Sequence, residues 1–226
     1  MKKAILVFLT AGMLLLQACG NSSVTESTIE IKKDGSVLQT TIETLDETYY
    51  DGDEFESYAQ EAVDAFNDAG SAEGTVTLKK CSYSESDGAV TLILSFTDAQ
   101  TYTAFEQKQL FCGTVHEAKT EGYDFYISLI TAEEAQAAES ADASADASGD
   151  ASGDTSADET ESIVVEDAAL ALGLTGEENV IILEESYHVT VPGTILYVTE
   201  DACSMVSDDT VSVDADQAEL IYIIYE

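Results

Sequence analysis

Four thiols, two imidazoles and 45 carboxylates are the side chains of this 226-residue chain best equipped for chemistry. The thiols are Cys19, Cys81, Cys112 and Cys203, and no C-x-x-C pair or Cys/His cluster gives them metal-ligand spacing. The imidazoles are His116 and His188, and neither has a nucleophile or an acid at an interpretable spacing. His188 sits between Tyr187 and Val189 in an alternating run, the setting of an edge or half-buried strand histidine. A Ser/His/Asp arrangement is defined in space, so abundant serines and aspartates argue neither way. No G-x-S-x-G, P-loop or dinucleotide fingerprint is present. The chain also has no arginine, the usual clamp for phosphate and carboxylate substrates. These residues point away from an enzyme, with no catalytic, cofactor or metal ligand to name; a hydrolase using His116 or His188 is the residual alternative.

Cys19 stands apart by its context. Lys2 and Lys3 open the chain, and an apolar run from Ala4 to Leu16 follows, broken only by Thr10 and Gly12. That run is shorter than the roughly 18 residues a membrane-spanning helix needs, so it reads as a secretory signal peptide over 1–18. Its end, Leu16-Gln17-Ala18-Cys19, resembles the lipobox of bacterial lipoproteins, with Leu at −3, a small residue at −1 and Cys at +1. The resemblance implies diacylglyceryl transfer to the Cys19 thiol and cleavage just before it. It implies anchorage on the outer face of a cytoplasmic membrane, with a Gram-positive source. Two acyl chains on one cysteine make a durable anchor, where one alone is marginal. Residues 19–27, beginning Gly20-Asn21-Ser22-Ser23 after the cysteine, read as a polar tether.

The formal net charge is −37. Such a surface repels nucleic acid, whose phosphates need Lys and Arg, and disfavours docking on anionic headgroups, leaving the lipid to anchor the chain. Basic peptides or proteins, polyamines and metal ions are the partners the charge permits. Solubility of an exposed protein explains the same charge without any partner. With Cys19 acylated, the odd number of remaining thiols cannot pair completely within the chain. Cys81 and Cys112 flank a hairpin-plus-helix unit, and export permits a disulfide between them. Three small, buried free thiols account for the residues equally well.

The positioning elements follow from periodicity. Residues 28–44 read as a hairpin around a two-residue Asp34-Gly35 turn. With Lys33 facing Ser36, Ile31 faces Leu38, Ile29 faces Thr40, and Ile42 continues that apolar face. Residues 53–69 form a helix with Asp53 as N-cap, a stripe of Phe55, Ala59, Ala62, Val63 and Phe66, and Gly70 as stop. The acids Asp46, Glu47, Asp51, Asp53, Glu54 and Glu56 suit a helix N-terminus, and Phe55 stands where a calcium loop needs an oxygen ligand. A second hairpin spans 75–83 and 89–96, with Val90, Leu92, Leu94 and Phe96 on one face and Ile93 on the other. Asp98 starts a short helix carrying Tyr102 and Phe105 and reaching toward Leu110. Val115–Ala118 and Tyr123–Ile130 read as strands. Tyr49 and Tyr50, or Tyr123, Phe125 and Tyr126, are aromatics that could line a ligand groove, although core packing explains most of them.

Residues 132–161 change character. From Ala141 an Ala-Asp-Ala-Ser period carries Asp142, Asp146, Asp150, Asp154 and Asp158, with no large apolar residue to bury. The composition predicts a disordered acidic Ala/Ser/Asp-rich insert or linker, entered by a frayed helix over Thr131–Glu139. Structure resumes at Ile163, with a short helix at Asp167–Leu172. Strands follow at Val180–Glu184, Tyr187–Val191, Thr194–Val198, Thr210–Val213 and Glu219–Tyr225. The fold class is α+β: mostly antiparallel sheet made of hairpins, with one or two packed helices. Residues 28–131 and 162–226 are two parts of one domain, or 162–226 is a small separate β-rich domain.

Three segments together resemble the LppM-type lipoproteins. They are Ile31-Lys32-Lys33-Asp34-Gly35-Ser36 after the lipobox, Phe96-Thr97-Asp98 leading to Phe105, and Val191-Pro192-Gly193-Thr194-Ile195 followed by Asp209-Thr210-Val211-Ser212-Val213. Val213-Asp214 departs from the pattern, which often has a tryptophan there. The resemblance implies one extracytoplasmic α+β domain split by a loop, with a lipid or glycolipid as ligand. The function expected is a lipid-anchored, non-catalytic binding module for a lipid or envelope component. The alternative is a structural or protein-interaction lipoprotein that uses its acidic surface and its insert.

Overall fold

The computed structural model describes residues 26–45, 52–70, 72–84, 86, 88–142 and 167–226. Its first hairpin pairs β1 (Thr28–Ile31) with β2 (Val37–Thr44). The register is one residue away from the expected one: Ile31 pairs with Val37 and Ile29 with Gln39. The cause is the turn. Lys32 N donates to Ser36 O at 2.9 Å and Gly35 N to Lys32 O at 2.9 Å, so the loop holds three residues, with Gly35 left-handed at φ +83°. That is a turn followed by a glycine bulge. A single-residue slip exchanges the faces of a strand. Val37 and Gln39 therefore point into the core, and Leu38, Thr40 and Ile42 point away from it.

α1 (Gly52–Ala69) begins one residue before Asp53, which thus lies inside the first turn, where its charge suits the helix dipole. Val63 is its buried residue, and Phe66 packs on the core; Ala62 is exposed, outside the stripe. Gly70 ends the helix at φ +60°. β3 (Val76–Ser84) and β4 (Ala89–Phe96) form the second hairpin. The Asn67 side chain ties α1 to it, donating to Val76 O at 2.9 Å and accepting from Val76 N at 3.0 Å. Asp98 caps α2 (Ala99–Glu106) by accepting from Thr101 N at 2.7 Å.

Beyond α2 the chain departs from its alternation. Leu110 opens a strand, β5 (Leu110–Thr114). Val115–Ala118 belongs to a helix, α3 (Val115–Glu121), because Thr114 and Glu117 form a reciprocal capping box and Gly122 closes the end at φ +97°. Of Tyr123–Ile130 only the end joins a strand, β6 (Leu129–Thr131). α4 (Ala132–Asp142) corrects the expected start of the insert. Thr131 and Glu134 cap it, and Ala135, 2 % exposed, joins the core beside β9 and β10. The Asp-periodic stretch beyond Asp142 lies outside the described residues.

The chain continues with α5 (Ala168–Ala171), β7 (Asn179–Leu183), β8 (His188–Thr190), β9 (Ile195–Thr199), β10 (Cys203–Ser207), β11 (Thr210–Val213) and β12 (Ile221–Tyr225). Two sheets result. The seven-stranded sheet runs β10-β11-β8-β1-β2-β4-β3, and β1/β8 is its parallel pair. The five-stranded sheet runs β5-β7-β12-β9-β6 and is antiparallel throughout. Each takes strands from both sides of residues 143–166. The fold class is α+β, with more strand than helix and antiparallel pairing dominant.

The core lies in two layers. Ile29, Val37, Leu94, Phe96, Val189 and Val211 of the larger sheet share a cluster with Ile181, Leu183, Ile221 and Ile223 of the smaller. The opposite face of the smaller sheet, through Val180, Ile182, Tyr222 and Ile224, packs on Val115, Ala118, Phe125 and Ala169. Burial on both faces explains why β7 and β12 read as unbroken apolar runs.

Candidate functional site

The one-residue register of the first hairpin carries a polar side chain into the core: Gln39 is 1 % exposed. Its Nε2 donates to the Tyr187 hydroxyl at 3.0 Å. Tyr187 sits on the connection between β7 and β8, beside Glu184 and Glu185. α2 contributes Tyr102, 1 % exposed, whose hydroxyl donates to Glu185 Oε2 at 3.1 Å. One turn further along α2 is Glu106, half-buried, with Oε1 sealed from solvent and without a partner. Lys108 stands at the edge, 4.0 Å from Glu184 and 3.9 Å from Glu185.

The electrostatics follow from burial and like charge. Burial, then the charge of Glu185, pushes the Glu106 carboxyl up to about 7, with the nearby Gln39 amide acting in the opposite sense. Burial also raises Glu185, opposed by the Tyr102 hydrogen bond and by Lys108. Tyr102 and Tyr187 are both raised, chiefly by burial, so their phenols stay protonated. Two carboxylates in a low dielectric disfavour each other's charge, and a neutral acid beside an ionised one relieves this. α2 also ends in strain at this point: Gln107 takes the left-handed conformation at φ 59°, with its N–H donating to Thr103 O at 3.0 Å. A non-glycine residue there costs about 1–2 kcal/mol. The arrangement can hold and release a proton; no nucleophile is part of it.

A second feature is exposed. A groove of about 450 Å³ opens at one end of the smaller sheet, where Tyr123, Asp124 and Ile127 meet Glu200 and the Glu219–Tyr222 stretch. The Tyr222 hydroxyl donates to Asp124 O at 2.8 Å, and the Gln109 side chain donates to the Tyr123 hydroxyl, which fixes both rings. Burial, then the charge of Asp124, pushes the Tyr222 phenol up to about 12. Among the aromatics expected to line a groove, Tyr123 does so. Phe125 is 1 % exposed and serves the core, edge-on to Tyr222 with ring centroids 5.1 Å apart. Tyr126, beside the groove in sequence, is 62 % exposed. Tyr49 and Tyr50 lie outside the described residues.

Cys19 likewise lies outside them. Cys81 is on edge strand β3 of the larger sheet and Cys112 on edge strand β5 of the smaller. Both are free, as is Cys203 on β10; of the two alternatives the sequence leaves for Cys81 and Cys112, a disulfide or free thiols, the structure holds free thiols. Burial pushes Cys112 and Cys203 up to about 12 and also raises Cys81. These thiols are poor nucleophiles, since the thiolate is the reactive form. His116 is on α3, and His188 Nε2 lies 2.9 Å from Glu26 Oε2. The structure brings neither histidine into the Gln39 cluster. Among the described residues no group of three or more His, Cys, Asp and Glu is arranged to hold a metal ion. Sequence reasoning missed the Gln39 cluster altogether. Glu106 and Glu185 are ordinary acids among 45, and the meeting of Gln39 with Tyr187 and of Tyr102 with Glu185 depends on a turn and a sheet packing that no local pattern encodes.

Compared with known protein families, curated proteins and solved structures, the chain matches none.

Proposed function

We propose that this protein is a lipid-anchored extracytoplasmic lipoprotein, held on the outer face of the membrane by acylated Cys19 and acting as a non-catalytic binding module. The observation that carries this reading is the Lys2–Cys19 segment, with its basic start, short apolar run and Leu16-Gln17-Ala18-Cys19 ending. Among the described residues no helix is long and apolar enough to cross a membrane. The ligand surface in this reading is the groove beside Tyr123 and Tyr222. Its open form and its carboxylates Asp124, Glu200 and Glu219 suit the polar part of a neutral or cationic envelope component. An anionic headgroup would meet like charge there. The LppM-type resemblance points to the same class of function, with a lipid or glycolipid ligand.

Metabolic labelling with palmitate tests the anchor. The wild-type chain should take up label and sediment with membranes, and Cys19→Ala should do neither. An unmodified Cys19 thiol by mass spectrometry would overturn the reading.

A second reading is favoured by the outward side of α1, where Glu56, Glu61, Asp64 and Asp68 line an open acidic face. There the same anchored chain is a structural or interaction lipoprotein that meets basic proteins. Charge reversal of Glu61 and Asp64 to lysine would abolish partner capture under that reading and leave it intact under the first.

A further inference from the structure

The larger sheet has a second face, and its register fixes what that face carries. Ile29, Val37, Leu94 and Val211 point into the core, so the residues alternating with them point outward. Across β2, β4 and β3 the outward positions align as Leu38 with Ser95 and Thr77, Thr40 with Ile93 and Lys80, and Ile42 with Thr91 and Ser82. Ile93 thus lies diagonally to both Leu38 and Ile42, close enough for the three to form one aliphatic patch. All three are half-buried, and none belongs to either core cluster. Lysines gather around the patch. Lys32 and Lys33 stand in the β1–β2 turn, and Lys79 and Lys80 at the bulge of β3, with Lys80 opposite Ile93. Lys33, Lys79 and Lys80 are exposed and take no ion pair among the described residues. Among those residues, the acids that β1 and its turn bring to this side are Glu26, Glu30 and Asp34. Glu26 lies against His188, Glu30 pairs with Lys32, and Asp34 accepts from Ser36. α1 packs on β3 from the other side, where Val63 and Phe66 meet the core.

We propose that this face lies on the anionic bilayer surface that holds Cys19, with Leu38, Ile42 and Ile93 against the headgroup layer and Lys33, Lys79 and Lys80 on its anionic groups. The proposal rests on the reading of Cys19 as the lipid anchor. Reach supports it. Cys19 and Glu26 are seven positions apart, so the chain between them spans at most about 25 Å. It leads into β1, the fourth strand of the seven. From there the patch is one to two strands away, roughly 5–10 Å. The opposite side of the molecule is further off. Behind the larger sheet stand the smaller sheet and then α3 and α5, with sheet layers about 10 Å apart. The groove beside Tyr123 and Tyr222 belongs to those far layers, so docking leaves it open to its ligand. Charge supports the same face. A chain of net charge −37 is repelled from anionic lipid over most of its surface. Here the unpaired side chains are lysines, and they flank apolar ones. Apolar burial and attraction of lysine to anionic lipid add together at a membrane surface. A second copy is the poorer occupant, because it would bring another −37 and set lysines against lysines.

Lysine acetylation by a membrane-impermeant reagent, measured by peptide mass spectrometry, tests the docking. The full acylated chain is placed in vesicles of phosphatidylcholine alone and of phosphatidylcholine with about one-third phosphatidylglycerol. Rates at Lys79 and Lys80 are taken relative to Lys119, which α3 carries on the far side. The relative rates should be at least about fivefold lower on the anionic vesicles. The difference should vanish in about 0.5 M salt, which screens charge beyond a few ångströms. Ile93→Glu, at an outward position of β4, should abolish it. Should that variant fail to fold, Lys33→Gln combined with Lys80→Gln should leave Lys79 equally reactive on both vesicles. Equal wild-type rates on the two vesicles would overturn the docking and leave the anchor standing. A chain that sediments with neither vesicle and carries an unmodified Cys19 would overturn both. Protection that grows with chain concentration in the absence of vesicles would assign the face to a second copy and overturn the docking alone.

Discussion

Glu106 shows how much one side chain's surroundings matter. It has the same carboxyl as the chain's other glutamates, yet its folded value of about 7 stands above the ordinary 4.5. A carboxyl raised on folding binds its proton more tightly in the native state, so stability is greatest below the unfolded value. It falls as pH rises from about 4.5 to about 7 and is level above that. The difference corresponds to about 3 kcal/mol. Urea midpoints should decline across that window in the wild type, and Glu106→Gln should flatten the profile. The exposed capping acids act in the opposite sense. Glu117 and Glu134 are held low by hydrogen bonds from Thr114 and Thr131, and Asp209 by Ser207 and Thr210. Their contributions are present above the unfolded carboxylate range and fade as pH falls through it. Little of this was legible from residue types: an acid's neighbours across the core are not its neighbours in sequence.

At the scale of elements, ends and turns decided more than periodicity did. The alternation of Val90, Leu92, Leu94 and Phe96 and the Asp98 cap were readable, and both stand in β4 and α2 as expected. The first hairpin's register was misread because Asp34-Gly35 suits two loop lengths, and the longer one inverts β2. Gly35→Ala tests that loop. With Gly35 at φ +83°, the substitution should cost about 1 kcal/mol by urea denaturation. The reading of Val115–Ala118 as a strand failed because four residues do not separate periods of two and 3.6. The capping box at Thr114 and Glu117 was the available signal. Thr114→Ala should destabilise by about 1 kcal/mol, measured the same way. Gly193 marks a close approach, since a Cβ there would run into the Glu226 backbone carbonyl. Gly193→Ala should accordingly lower the melting temperature by several degrees, roughly the effect of 1–2 kcal/mol in a chain of this size.

For the whole molecule, the interleaving of strands governs what can fold. β8 lies against β1 in the larger sheet, and β7, β12 and β9 fill the space between β5 and β6 in the smaller. Residues 26–142 alone would leave β5 and β6 without partners, and residues 167–226 alone would leave β8 without β1. Neither piece expressed separately should show a cooperative unfolding transition by circular dichroism, whereas the two mixed together should recover one. A cooperative transition in either piece alone would mean that its strands suffice without the crossings.

Composition and local pattern determined the α+β class, the mostly antiparallel pairing and the approximate place of most strands, because these rest on side-chain alternation and turn chemistry within a few residues. The same local order supports the reading of Cys19 as an anchor. Tertiary structure decided the face of β2, the helix in place of a strand after Thr114, and the meeting of Gln39 with Tyr187 and of Tyr102 with Glu185. Those depend on which of several locally acceptable arrangements lets distant segments bury their apolar surface together, and that choice is made by the packed core as a whole.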